Sequence, residues 1–378
     1  TLEWCRAHDA ALWLRLATSL GWFWVTHGHL VEGRAELEGA VALTSLEPAA
    51  RARGLHRLGQ LVFWQDDNEA TILACEQSIA ISRELGDAAA AGWPQTLMAS
   101  ALMALDEHEE ARSMLEQVRA TATTSELRLE VTMLLGEQSL RLGNLGEARR
   151  LLEAGREMAG RPGRFRAAVA PLLLAIVDFF EGDLDRARAD LGEALDSFAM
   201  LGHSYSIAAA LNIAGGLAMA AGRPERALRL CAAADHLRTS IRARLGAHYR
   251  ELTERLVEAP ARDALGAAAD EIWAAGERMT VEEALAFARS EDREVPAPSP
   301  GRRLRAPSLL SRREVEVAGL VARGLTNRQI AERLVLAERT IEGHVERIRG
   351  KLGVHSRTQI AVWVVGQPDG SAAMAPGA

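Results

Sequence analysis

LLSRREVEVAGLVARGLTNRQIAERLVLAERTIEGHVERIRGKLGVHSRTQIAVWVVG, residues 309–366, sets the frame for the rest of the chain. Ser311 is followed three residues on by Glu314, and Thr326 by Gln329. In each pair a hydroxyl and a longer polar side chain can cap each other's backbone N–H at a helix start. The pairs predict helices over 311–323 and 327–334, broken at Gly324-Leu325. A third should begin near Ala337 or Glu338 and end at Gly353, a glycine suited to a C-terminus. A fourth, about 356–366, follows from Ser356 and the apolar Ile360, Val364 and Val365. Two short helices, a tight turn and a longer third helix make a helix-turn-helix pattern.

On the third helix Ile341, Val345, Ile348 and Leu352 form one narrow stripe at 3.6 residues per turn, which must pack inward. The opposite face carries Arg339, Glu342, Gly343, Glu346, Arg347 and Gly350, with Thr340, His344 and Lys351 along one edge. A helix that enters the major groove needs a narrow face, small in part, toward the bases, and hydroxyl or cationic groups beside it for phosphates. Periodicity alone fits a four-helix cap with an ordinary solvated face equally well.

The stretch resembles the LuxR-type (NarL/FixJ-type) helix-turn-helix. The pattern is carried in register by Leu310-Ser311, Arg313-Glu314, Glu316-Val317, Leu320-Val321, Gly324-Leu325-Thr326-Asn327, Gln329-Ile330-Ala331, Thr340-Ile341, His344-Val345, Ile348, Lys351-Leu352-Gly353-Val354 and Arg357-Thr358. Ala337 departs from it where the family usually has a serine cap, Ala318 where it has a larger apolar residue, and Glu342 and Glu346 where many members are basic. The resemblance implies a DNA reader in which Asn327, Arg328, Thr340, His344 and Lys351 meet phosphates. Arg347 and Glu346 are then expected at base edges, Arg toward guanine and Glu toward cytosine N4, with Arg339 and Glu342 on the same face and Gly343 letting the helix lie close. It also implies a homodimer on paired half-sites of double-stranded DNA, joined through the fourth helix.

The chain has 378 residues and a net charge of −7, which on average argues against nucleic acid. The average hides an asymmetry. Residues 302–357 hold 13 basic and 6 acidic side chains, while residues 1–301 carry −13. A basic module on an acidic body is the charge distribution of a DNA-binding domain joined to something else. Lys351 is the single lysine; Leu352 follows it, and Val345 stands where a P-loop needs its leading glycine, so this chain holds no P-loop. Cys5, Cys75 and Cys231 are far apart and form no C-x-x-C pair, which fits reduced thiols and a cytoplasmic setting. Ser197 to Gly222 is the longest run without Asp, Glu, Lys or Arg, but its His, Ser, Asn and Gly residues fit close soluble packing better than a membrane span.

Residues 1–290 show little alternation and much Ala, Leu, Arg and Glu at helical spacing. A turn motif recurs as GHLVEG (28–33), DDNEA (66–70), EHEEA (107–111), GNLGEA (143–148), GDLDRA (182–187) and GRPERA (222–227). It ends on Gly33, Ala70, Ala111, Ala148, Ala187 and Ala227, spaced by 37, 41, 37, 39 and 40. A period near 40 with two helices per unit predicts an α-solenoid in which the small residue lets the second helix sit against the first. The units resemble lengthened tetratricopeptide repeats. The expected fold is therefore all-α: helical hairpins over 1–290, a Pro/Arg-rich linker over 291–308, a four-helix LuxR-type domain over 309–367 and a disordered tail over 368–378. Arg302, Arg303 and Arg305 in the linker either track a DNA backbone or stay solvated.

The aromatic-rich first 43 residues and the segment AAGERMTVEEALAFA (274–288) are similar to the repeat region of large ATP-binding LuxR-type regulators. In that family a nucleotide-binding domain comes before this point and the repeats read signals. Thr1 is not an initiator, so such a domain is expected upstream, and ATP would enter only through it; the chain itself calls for no cofactor. Trp22-Phe23-Trp24 is read as a core anchor of the first hairpin, with an effector pocket as the alternative. His27 and His29 are read as turn histidines, with metal ligation as the alternative, since no carboxylate or cysteine partner sits at ligand spacing. No nucleophile elbow or metal-ligand cluster points to catalysis. The expected function is transcription regulation by a sequence-specific major-groove reader with a helical sensing or protein-interaction domain. A protein or small-molecule effector on the repeats and RNA polymerase are candidate partners. The competing reading is a helical-repeat interaction scaffold whose small domain does not bind DNA.

Overall fold

A computed structural model describes residues 1–160, 165–290, 312–322, 325–334, 336–352 and 360. Among them helices alternate with short turns and no strand occurs. The chain folds as two compact units, the first built from the helices between residues 2 and 289, the second from those between 312 and 352.

The first unit opens with α1 (Leu2–His8) and continues as six helical hairpins. These are α2 (Ala10–His27) with α3 (Leu30–Val41), α4 (Pro48–Trp64) with α5 (Asn68–Glu84), and α6 (Ala88–Ala104) with α7 (His108–Thr121). Then follow α8 (Ser125–Arg141) with α9 (Leu145–Ala159), α10 (Phe165–Glu181) with α11 (Leu184–Leu201), and α12 (Ser204–Ala220) with α13 (Pro224–Ser240). Short polar side chains start many of them. Asp9, Asp67, Asp87 and Asp183 each accept a hydrogen bond from the backbone N–H three residues on, at 2.9–3.2 Å. Such caps satisfy donors that a helix cannot satisfy itself. Gly28 ends α2 in the left-handed region (φ 77°), where a Cβ would be strained and would also strike Ile241 at 2.6 Å.

The small-residue rule holds with one correction. The fourth residue of each second helix is Gly33, Thr71, Ala111, Ala148, Ala187 or Ala227. Gly33 is buried, and the other five are fully so. In the second hairpin the buried position is therefore Thr71, not the expected Ala70, which lies one residue early and is only half-buried. Threonine serves because its hydroxyl donates to the Asp67 carbonyl at 2.9 Å and stays satisfied in the core. Charged pairs stitch neighbouring hairpins. Arg34 meets Asp67 at 2.9 Å, Arg112 meets Glu147 at 3.0 Å, Arg149 meets Asp178 at 2.6 Å and Arg156 meets Asp190 at 2.9 Å.

The array curls until its first hairpins meet its last. Trp22 on α2 packs edge-on against Phe165 on α10, with ring centroids 5.3 Å apart, and lies 5.4 Å from His203. Trp64 at the end of α4 meets Tyr205 on α12 at 4.5 Å. The Trp22-Phe23-Trp24 run thus divides its work. Trp24 alone is core; Trp22 and Phe23 are exposed, Trp22 facing the far end of the array and Phe23 stacking on His27 and His29. Successive helical residues point about 100° apart, so three adjacent aromatics cannot share one buried face.

Four short helices finish the unit: α14 (Ala247–Thr253), α15 (Ala259–Leu265) beyond one π-helical turn, α16 (Ala269–Glu277) and α17 (Val281–Arg289). Gly276 on α16 lies so close to α13 that a Cβ there would stand 2.4 Å from the Arg229 carbonyl. Thr280 and Glu283 form a capping box that starts α17, and Arg226 of α13 donates to the Ser290 carbonyl at its end. Gly202 and His203 break the uncharged run 197–222 between α11 and α12, and among the described residues no helix is long and apolar enough to cross a membrane.

Candidate nucleic-acid interface

The second unit contains α18 (Arg312–Ala322), α19 (Asn327–Leu334) and α20 (Glu338–Leu352). Ser311, the linker 291–308, the tail and, apart from Ile360, the expected fourth helix lie outside the described residues. The second capping box is present. The Thr326 N–H donates to Gln329 Oε1 at 2.8 Å, and the Gln329 N–H to Thr326 Oγ1 at 3.3 Å. Ala337 brings no side-chain cap to α20, but its carbonyl accepts from Ile341 at 3.3 Å.

Three residues of the inward stripe on α20 are placed as its period requires, and the Leu352 side chain lies outside the described residues. Ile341, Val345 and Ile348 are buried with Val317, Leu320 and Val321 of α18, Ile330 and Ala331 of α19, and Ile360. Ala318, small where relatives of the pattern are larger, is fully buried as well. Arg313 ties α18 to the end of α19 by donating to the Leu334 carbonyl at 3.2 Å.

This core leaves one face of α20 outward. Arg339, Thr340, Glu342, Gly343, Glu346 and Arg347 are exposed and His344 is half-buried beside them. Lys351 lies in the last turn, its side chain outside the described residues. At the start of α19, Arg328 is exposed and Asn327 half-buried. Among the described residues, nothing beyond the adjoining backbone of α20 and the two chain neighbours lies within 4 Å of where a Cβ on Gly343 would stand, so the middle of the face is open.

The electrostatics of the face are not those of its bare sequence. Glu346 is met by Arg349 one turn on, at 2.9 Å, so its charge is balanced locally. Arg347 Nη2 donates to His344 Nδ1 at 3.2 Å. The imidazole can accept because its own burial, then the Arg347 charge, hold its pKa below the ordinary histidine value. Arg347 Nε also lies 4.0 Å from Glu314 Oε1, a carboxylate of α18 that is almost wholly buried. Glu314 and Arg349 are absent from the sequence-based set of site residues. Arg349 stood in plain view at i+3 from Glu346; Glu314 is 33 positions from its partner and had no such signal.

The sequence model of the family described as "Bacterial regulatory proteins, luxR family" matches residues 308–364. A protein of Mycobacterium tuberculosis named as an HTH-type transcriptional regulator is 26% identical over 367 residues, covering 94% of this chain and 39% of its own length. The chain thus spans about two-fifths of that relative. The DNA-binding transcriptional activator DevR/DosR of the same organism is 48% identical over 54 residues, 14% of this chain and 25% of its own. GfsR of Streptomyces halstedii, named as an HTH-type transcriptional regulator, is 44% identical over 69 residues, 18% and 28% of the two chains. With the three helices, their shared core and the family match in agreement, the C-terminal part of this chain is a LuxR-family helix-turn-helix domain.

Proposed function

We propose that the chain acts as a DNA-binding transcriptional regulator, with α20 entering the major groove and the helical hairpins receiving a protein or small-molecule signal. The observation that carries this reading is the open strip on α20, with Gly343 at its centre and Arg339, Glu342, Glu346 and Arg347 around it. A helix approaches base edges closely only where no side chain holds it off. Arg347 is assigned to guanine and Glu346 to cytosine N4. Asn327, Arg328, Thr340, His344 and Lys351 are assigned to phosphates, where each contact adds affinity without sequence preference. In this reading residues 1–290 form the signal-receiving array, 291–308 the linker and 309–367 the DNA reader, which works as a homodimer on paired half-sites and contacts RNA polymerase. The names of the relatives and the basic balance of residues 302–357 support the same assignment.

The test is fluorescence anisotropy with duplex DNA from upstream of the gene and a scrambled duplex, across a salt series. Selective binding that weakens steeply with salt supports the reading. Equal binding to both duplexes overturns sequence-specific reading of that upstream DNA, and no binding at low salt favours the interaction scaffold.

A further inference from the structure

Arg347 has a long side chain on the outer face of α20, yet it is not loose. Nε lies 4.0 Å from the Glu314 carboxylate, and Nη2 donates to His344 Nδ1 at 3.2 Å. Glu314 sits in the first turn of α18, where the partial positive charge of the helix start favours an acid, and it is almost wholly buried. A carboxylate buried at that depth is costly unless charged or polar groups meet it. Arg347 approaches it from α20, with its own side chain more than half exposed.

The ion pair draws Nε toward Glu314 at 4.0 Å, beyond hydrogen-bond length, and the hydrogen bond to His344 takes one N–H of Nη2. They leave the outer edge of the guanidinium, one N–H from each terminal nitrogen, out of both contacts. That edge is the parallel pair of donors that matches O6 and N7 of guanine. We infer that Glu314, through Arg347, is a positioning residue for base recognition: it orients the guanidinium before DNA arrives, so that its outer edge meets a guanine in the major groove. His344 is the second support. With Nδ1 accepting from Arg347, its remaining N–H is Nε2, which can donate to a phosphate. One histidine then links the base contact to the backbone contact. This inference rests on the DNA-reading function proposed above.

The experiment is a double-mutant cycle in the full chain, with Glu314→Gln, Arg347→Ala and the double variant. Each is measured against a selected duplex, the same duplex with the read guanine replaced, and a non-specific duplex. Glu314→Gln is expected to lower the ratio between the first two about tenfold, the lower range for one bidentate guanine contact. It should leave non-specific affinity within about twofold and add almost nothing to Arg347→Ala. A purely structural glutamate would weaken all three duplexes together.

A wild type that discriminates, with Glu314→Gln discriminating equally or adding its loss to that of Arg347→Ala, overturns the positioning role alone. A wild type without any base preference overturns the role together with the DNA-reading function. If Glu314→Gln does not fold, Glu314→Asp replaces it with the same expectations, since the shorter acid stays on α18 but no longer reaches Arg347.

Discussion

Gly33 on α3 faces the indole of Trp24 on α2 so closely that a Cβ at position 33 would stand 2.5 Å from its Cδ2 atom. The same place in later hairpins holds Ala111, Ala148, Ala187 and Ala227, so the first hairpin gives up one more carbon to make room for a tryptophan. Gly33→Val forces that ring or the α3 backbone to move. It is expected to cost about 1–3 kcal/mol in a urea melt, against a few tenths for a substitution at exposed Gly146, which has open space around its Cβ.

Asp178 is fully buried in α10 and meets Arg149 of α9 at 2.6 Å. Burial pushes its pKa up, against the pull of Arg149, so the pair is held by geometry at a desolvation cost. Asp178→Ala is expected to destabilise the chain by about 1–3 kcal/mol, because it removes the buried one of the two carboxylates that Arg149 meets closely and leaves Glu181, at 2.5 Å, to hold the guanidinium. Replacing both partners, as Asp178→Leu with Arg149→Met, should recover most of the loss. Equal stability of the single and double variants in chemical denaturation would contradict this account of the ladder between hairpins.

His203 caps α12 through Nδ1, which accepts from the Ser206 N–H at 3.3 Å, inside a ring of Trp22, Trp64, Phe165 and Phe198. Burial holds its pKa down to about 4, against an ordinary value of 6.5. The unfolded chain therefore binds a proton that the folded chain refuses. Stability from this group is full above pH 6.5 and falls as the pH drops toward 4, by on the order of 3 kcal/mol. Glu258, raised to about 7 mainly by burial and the neighbouring Glu254, works in the opposite sense, so the variant difference is what matters. In His203→Asn, which keeps a cap, the fall in Tm between pH 7 and pH 4.5 should be shallower than in wild type.

Gly343 separates folding from docking. With open space around its Cβ position, Gly343→Ala should raise the stability of the helix-turn-helix domain by about 0.5–1 kcal/mol through helix propensity. Gly343→Trp should leave the fold intact by circular dichroism but hold α20 off the bases and remove sequence-selective binding. Retained selectivity in the tryptophan variant would place the bases elsewhere.

Much of this was written locally in the sequence. Thr326 and Gln329 fixed the start of α19, and the 3.6-residue stripe of Ile341, Val345 and Ile348 fixed which side of α20 faces in. The turn motifs gave the hairpins, because caps and small residues act within four positions. What depended on partners far apart in the chain was hidden. Trp22 against Phe165, Tyr205 against Trp64 and Arg347 against Glu314 follow from how hairpins curl and helices cross, and no spacing along the chain encodes them. Thr71 escaped because its hydroxyl marks it as polar, while its hydrogen bond to its own helix lets it fill a buried site.

The most direct test of α20 as the base-reading element is selection from a randomised duplex pool with wild type and Arg347→Ala in parallel. The account predicts that wild type enriches a paired motif with a fixed guanine in each half-site. Arg347→Ala should enrich the same motif with that position alone degenerate, since one lost contact relaxes one base. An unchanged motif in the variant, or no motif with wild type, would contradict it.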